Sequence, residues 1–216
     1  LTPAAPDCRA GSKVDNARGR RCGCAPRHHV DRIHRRQPVC KRMSAPRPHL
    51  WTARLAIRCF APDDAPFIVE LLNDPDWLRH IGDRGVRTLA DARRYLHDGP
   101  LAMQAQEGFA LWAVQRRDDS RLLGMCGLLR RAGLDDVDVG YAFLPAARGQ
   151  GYAREAAAAV LAHGFQALGL RRIVAITSPD NDASARVLEA IGMRYERRLR
   201  VAGHQADSLL YAKEQP

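Results

Sequence analysis

Arg148-Gly149-Gln150-Gly151-Tyr152-Ala153 is the stretch whose reading decides the fold. The alternating apolar run Val137–Leu144, closed by Pro145, precedes it. After it, Ala153, Ala157, Val160, Leu161, Gly164 and Leu168 recur on one side of a segment from Tyr152 to Leu168, with Gly169 in the position that ends helices. A period near two followed by one near 3.6 reads as strand, turn and helix. The first amides of a helix lack internal partners and carry about half a positive charge. Gly149 and Gly151 allow a sharp turn and close approach of the backbone, which suits a diphosphate. A glycine-rich helix start alone indicates only an anion. No Lys-Ser/Thr pair follows, which excludes a P-loop, and the third glycine of the dinucleotide fingerprint is missing.

Outward from this turn the chain alternates strands and helices. Arg54–Phe60 reads as a first strand, and Pro62 and Asp63 open a helix with Phe67, Ile68, Leu71 and Leu72 on one face, stopped by Asn73-Asp74-Pro75. Thr88 and Asp91 form a capping-box pattern for a helix through Leu96, and Gly99–Gln106 fits no single period. Phe109–Gln115 and Leu122–Leu129 form a hairpin about Asp118-Asp119-Ser120. Beyond the central helix lie a buried strand Arg171–Thr177, a short helix Asp182–Ile191 closed by Gly192, and strands near Tyr195–Val201 and Ser208–Ala212. The order β-α-α-β-β-β-α-β-α-β-β specifies one α/β (α+β) domain on a mixed sheet over residues 49–216.

The 216 residues carry a net charge of +10, unevenly placed. Residues 1–42 hold 11 Lys and Arg against 3 acidic residues, and residues 43–216 hold 23 against 21. The folded part is thus nearly neutral, so nucleic acid is not the expected partner. Residues 1–48 lack periodicity and hold almost no Leu, Ile or Phe, and they read as a disordered basic extension. Met43 reads as the natural start. Cys22, Cys24, His28, His29, His34 and Cys40 resemble a metal knuckle, but one residue between the paired cysteines is too few for zinc, and no metal is expected. Cys59 and Cys126 stand singly in apolar strands as small hydrophobes. With no apolar leader or membrane-length run, the expectation is a soluble cytoplasmic protein.

Arg148-x-x-Gly151-x-Ala153 resembles the Gln/Arg-x-x-Gly-x-Gly/Ala motif of the GNAT acetyltransferase superfamily. Val139-Gly140-Tyr141, Gly151–Ala156, Pro179–Ser184, Gly108-Phe109-x-x-Trp112 and Leu123-Gly124-x-x-Gly127 extend the resemblance to the RimJ/RimL-like branch over about residues 53–212. The resemblance implies an acetyl-CoA-dependent N-acetyltransferase whose sheet is mostly antiparallel, with two central strands splayed apart. It implies that the backbone of Ala142, Phe143 and Leu144 pairs with the pantetheine arm. The amides of Arg148, Gly149, Gln150, Gly151, Tyr152 and Ala153 would hold the pyrophosphate, with the Arg148 side chain as a further anion ligand. Asn181 would contact the pantetheine, beyond its ordinary role as a helix cap, and Ser184 would return a proton to the departing thiolate.

The reaction requires a base for the amine proton. Asp138 is the first candidate, standing where the family usually has glutamate; its shorter reach favours a bridging water. A solvent-facing place in the acidic run Asp135-Asp136-Val137-Asp138 is the equal alternative. Tyr195 is an outside candidate for the acid. Trp112 reads as core, Trp77 and His80 as either cleft or packing, and His163 and His204 as incidental. The acceptor is a primary amine: a protein N-terminus, or a small molecule such as an aminoglycoside or polyamine if the cleft is acidic. A non-catalytic acyl-CoA-binding module stays as the alternative, and a homodimer stays open. The intact mass of the native protein is expected to match a chain starting at Met43; peptides from residues 1–42 would remove that start.

Overall fold

The computed structural model describes residues 48–201 and 207–215. The expectations for the extension before Pro48, Met43 and the Cys/His knuckle included, lie outside the described residues, as does His204. One mixed sheet carries the domain, in the order β1-β2-β3-β4-β5-β6-β8-β7. Its strands are β1 (Pro48–Trp51), β2 (Leu55–Arg58), β3 (Leu111–Arg116), β4 (Leu122–Leu129), β5 (Val137–Phe143), β6 (Arg172–Thr177), β7 (Arg194–Leu199) and β8 (Ser208–Glu214). All neighbours are antiparallel except β5 and β6.

The helices are α1 (Ala65–Leu72), α2 (Pro75–His80), α3 (Leu89–Leu96), α4 (Ala102–Glu107), α5 (Tyr152–Gln166) and α6 (Asp182–Ala190). Alternation along the central strands separates two layers of core. Trp112, Val114, Cys126 and Leu128 pack with α5 on one face. Ala113 and Met125, between them in sequence, face α1 and α3 on the other. The capping box at α3 forms as the sequence predicts: Thr88 Oγ1 accepts from the Asp91 amide at 3.2 Å, and Asp91 Oδ2 accepts from the Thr88 amide at 3.0 Å. Gly164 is small for a reason, since a Cβ there would stand 2.6 Å from Ile173 Cδ1.

Three expectations change. The segment expected to be disordered to residue 48 already starts a strand there, because Leu50 and Trp51 pair with Ile57 and Ala56 in a hairpin too short to show a period. The first helix does stop at Leu72, as expected, but Pro75 then opens a further helix, α2, with the Asp74 carboxylate accepting from the Asp76 and Trp77 amides. The ambiguous stretch resolves into a π-type turn at His97–Leu101 and then α4. Cys126 is fully buried and Cys59 partly so, and both are free thiols. No helix among the described residues is long and apolar enough to cross a membrane.

One buried ion pair fixes the exit of β2. Arg58 meets Asp64 through two hydrogen bonds of 2.8 and 2.9 Å, and the Ala61 amide donates to the same carboxylate at 2.8 Å. Both residues are 7% exposed, so removing one strands the other in the core. Asp64→Ala is expected to cost about 3 kcal/mol in urea unfolding.

Candidate active site

The parallel ladder between β5 and β6 is two pairs long, Val137↔Ile173 and Asp138↔Val174. Beyond Asp138, β5 follows β4 as far as Phe143, and β6 follows β8 as far as Thr177. The strands therefore diverge toward their C-terminal ends, leaving a V-shaped slit whose β5 edge has no strand partner. The Leu144 amide donates to Leu123 O at 2.9 Å, and its carbonyl accepts from the Ala147 amide at 2.9 Å. By the alternation of an antiparallel ladder, Ala142 likewise turns its backbone to β4, while Tyr141 and Phe143 turn theirs to the slit. Of Ala142, Phe143 and Leu144, only Phe143 thus turns its backbone away from β4, with its amide toward the opening and its carbonyl accepting from Arg148 Nε; Leu144 is engaged within the fold.

The turn above this edge has the geometry read from its sequence. Gly149 and Gly151 have φ of 73° and 78°, a region costly for residues with a Cβ. Gly151 is the N-cap of α5. The Arg148 amide donates to Pro145 O at 3.1 Å, whereas the amides from Gly149 to Ala153 make no backbone hydrogen bond among the described residues. The turn is braced from outside by the β1–β2 hairpin. Arg54 donates to Gln150 O at 2.9 Å and pairs with Glu155 at 2.7 Å. Its guanidinium lies 4.4 Å from the centre of the Tyr152 ring. Thr52 Oγ1 donates to the same glutamate at 2.6 Å.

The Arg148 side chain does something else. Its guanidinium pairs with Asp74 and Asp76 at the start of α2, and Nε donates to Phe143 O at 2.9 Å. Though partly exposed, it is already paired rather than a free anion ligand, and it ties the turn to α2. At the other end of α2, Arg79 pairs with Asp180 at 2.9 Å, and His80 Nδ1 lies 3.0 Å from Ser178 Oγ. This helix spans the slit, anchored on the β5 side at its start and on the β6 side at its end.

Beneath α2 lies a cleft of about 970 Å³ that takes in Val139–Ala142, Ala175–Ser178, Ser184, Trp77 and His80. Asp138 stands at its apex, at the last paired position of the V. It is 1% exposed, not solvent-facing. Arg131 pairs with Oδ2 at 2.7 Å, and Oδ1 is buried with no hydrogen-bond partner. Burial pushes the carboxyl up to about 6; Arg131 opposes that, and the Ile176 amide adds a weaker pull without reaching hydrogen-bond geometry.

Asn181 caps α6, its Oδ1 accepting from the Ser184 amide at 3.0 Å. Ser184 faces the cleft, and Tyr141 reaches across the slit to it: the phenol donates to Ser184 O at 3.0 Å and lies 2.9 Å from Ser184 Oγ. Burial raises the Tyr141 hydroxyl well above its ordinary value, so it keeps its proton. Tyr141 was quoted in a motif but given no role by sequence; only the distance to Ser184 reveals one. Tyr195 is elsewhere, 53% exposed on edge strand β7 against Tyr211, and it does not line the cleft. Trp112 is core, donating from Nε1 to Gln104 at 2.7 Å, and His163 packs on its ring.

The cleft is not acidic in effect. Besides Asp138, the carboxylates that line it are Asp83, Asp91, Asp98 and Asp207. Asp83, Asp91 and Asp207 are met by Arg87 at 2.6 Å, Arg94 at 2.5 Å and Arg200 at 3.1 Å, while Asp98 has the His97 ring at 2.7 Å.

An open strand edge between two helix starts, beneath a turn of unpaired amides, is suited to an extended ligand with an anionic end. The Acetyltransferase (GNAT) domain model matches residues 54–194. An uncharacterized N-acetyltransferase of Bacillus subtilis, YnaD, is 33% identical over 148 residues, covering 68% of this chain and 84% of its own. The GNAT-family acetyltransferase of Bacillus anthracis is 29% identical with a TM-score of 0.64, covering 77% of this chain and 98% of its own. The microcin C7 self-immunity acetyltransferase MccE, solved with acetyl-CoA and AMP, shares the fold at 16% identity and a TM-score of 0.64, over 76% of this chain and 93% of its own. The chain belongs to the GNAT acetyltransferase family, and its activity is acetyl transfer from acetyl-CoA.

The raised Asp138 carboxyl has a stability consequence of definite sign. The folded protein holds this proton more tightly than the unfolded chain, whose reference value is 3.8. Wild-type stability relative to Asp138→Asn is therefore expected to be greatest below about pH 4 and to fall as pH rises through about 6, measured by urea unfolding across that range.

Proposed function

We propose that this protein acetylates a primary amine by direct attack within a ternary complex, with Asp138 as the base. The observation that carries the reading is the buried, unpartnered Asp138 Oδ1 at the apex of a slit open to a cleft. Acetyl-CoA supplies the activated acetyl group as a thioester. The slit-facing backbone of Phe143 and Tyr141 is placed to bind its extended arm, and the free amides from Gly149 to Ala153 its diphosphate. Asn181 lies at the same opening as a further contact.

Asp138 takes the amine's proton through a water, since a carboxylate 1% exposed touches no bulky acceptor directly. Elevation toward neutrality suits that task, and Arg131 keeps the ionised form accessible. Ser184, oriented by the Asn181 cap and by Tyr141, returns a proton to the departing thiolate. Tyr141, whose own proton is firmly held, steadies the Ser184 oxygen through their shared hydrogen bond while solvent replaces the proton that Ser184 gives up. The pairing of Asp83, Asp91 and Asp207 with arginines disfavours aminoglycosides and polyamines, which need unpaired acidic groups. The motifs at Pro179–Ser184 and Val139–Tyr141 support placement in the RimJ/RimL-like branch.

Thiol release from acetyl-CoA in the presence of an amine panel tests the reading. Asp138→Asn is expected to lower kcat by about 10²–10³-fold while leaving acetyl-CoA affinity within about two-fold. In the wild type, kcat/KM should fall as pH drops below about 6, because the base must be ionised. Tight cofactor binding with no turnover of any amine would instead identify a binding module. Gly151→Val, at a φ of 78°, is expected to weaken acetyl-CoA binding about ten-fold by calorimetry.

A further inference from the structure

The charges lining the cleft do not cancel completely. Arg79 and Arg94 are held by Asp180 and Asp91, and Arg131 by Asp138. Arg84 also lines the cleft, on the loop between α2 and α3, and no carboxylate pairs with it among the described residues. Tyr95 of α3 lines the same cleft, and its hydroxyl has no hydrogen-bond partner among the described residues. Burial raises that hydroxyl, and the positive charges of Arg84 and Arg131 pull it back, so both guanidinium groups lie within electrostatic reach of it. A neutral phenol donor beside an unpaired guanidinium is complementary to an anion, and Arg is well suited to bind a carboxylate or phosphate by two hydrogen bonds.

We propose that Arg84 and the Tyr95 hydroxyl form an anion-binding subsite in the acceptor half of the cleft, and that the amine acetylated here carries a carboxylate or phosphate on the same small molecule. The inference rests on the transferase reading and adds the acceptor's chemical class. Arg84 holds the acidic group while the amine is directed toward the Asp138 apex. A polycation meets Arg84 with like charge, and an uncharged amine leaves the subsite empty.

The test compares matched acceptors in the thiol-release assay: γ-aminobutyrate against its methyl ester, phosphoethanolamine against ethanolamine, with spermidine, kanamycin and a neutral amidated peptide alongside. At least one acid should exceed its uncharged partner by about ten-fold in kcat/KM. Which pair shows the preference distinguishes carboxylate from phosphate. Arg84→Gln should bring that ratio to about 1 through KM, Arg84→Lys should restore part of it, and Tyr95→Phe should lower it less. Preference for spermidine, kanamycin, the peptide or the uncharged partners overturns the proposal, as does a ratio unmoved by Arg84→Gln. If no amine is turned over while acetyl-CoA still binds, the transferase reading fails on its own account. The subsite is then judged by calorimetry on the CoA-loaded protein: N-acetyl-γ-aminobutyrate or N-acetylphosphoethanolamine should bind about ten-fold tighter than its uncharged counterpart, and equal binding overturns it.

Discussion

Two rungs of parallel ladder, Val137–Ile173 and Asp138–Val174, are the constraint on which the rest of this structure depends. Had the ladder continued, the backbone of Tyr141 and Phe143 would be spent on β6, and the sheet would close. Because it stops, the strands part toward the starts of α5 and α6, and the unpaired groups of strand edge and helix end converge on one opening. Ligands bind to open α/β sheets beyond the carboxyl ends of their parallel strands, and here that crevice is made by divergence alone. The same break places Asp138 where the strands last touch, deep enough to be desolvated and close enough to the opening to be reached through water.

The fold was legible where periodicity was long. Phe67, Ile68, Leu71 and Leu72 specified α1, Leu122–Leu129 specified β4, and the glycines at 149 and 151 specified the turn, because each expresses a local preference repeated several times. β1 and α2 were missed for the opposite reason. His49-Leu50-Trp51 is too short to show a period, and Pro75 has the same local signature whether it ends one helix or begins the next. At the site, residue types were readable but partners were not. Asp138 could be chosen by position, yet only the fold shows that Arg131 takes one oxygen and leaves the other bare. Arg148 has the residue type of an anion ligand, and Asp74 and Asp76, more than seventy positions earlier, claim it. Tyr195 follows the α6 segment closely in sequence but leaves the cleft, because β7 lies beyond β8 at the sheet's edge.

The site sets opposing electrostatic demands on neighbouring groups. Burial makes the Asp138 charge costly, and Arg131 offsets that cost only in part, which leaves the carboxyl near neutrality rather than fully ionised or fully protonated. Tyr141 sits in the same low-dielectric region with no cation against it, so its proton is firmly held. A carboxyl that ionises readily near neutrality and a phenol that does not thus stand on one strand, three residues apart.

The double anchoring of α2 constrains how this protein can diversify. The helix that roofs the acceptor cleft is fastened at its start to the arginine of the cofactor turn and at its end to the loop leading into α6. Substitutions that reshape the roof by moving α2 therefore pull on both lips of the cofactor slit, and selection for a new acceptor would be opposed by selection to keep the old cofactor. The segment between α2 and α3, tied to neither lip, escapes that conflict. Changes of shape in the roof thus come most cheaply from that short loop, which can move without loosening either anchor of the helix beside it.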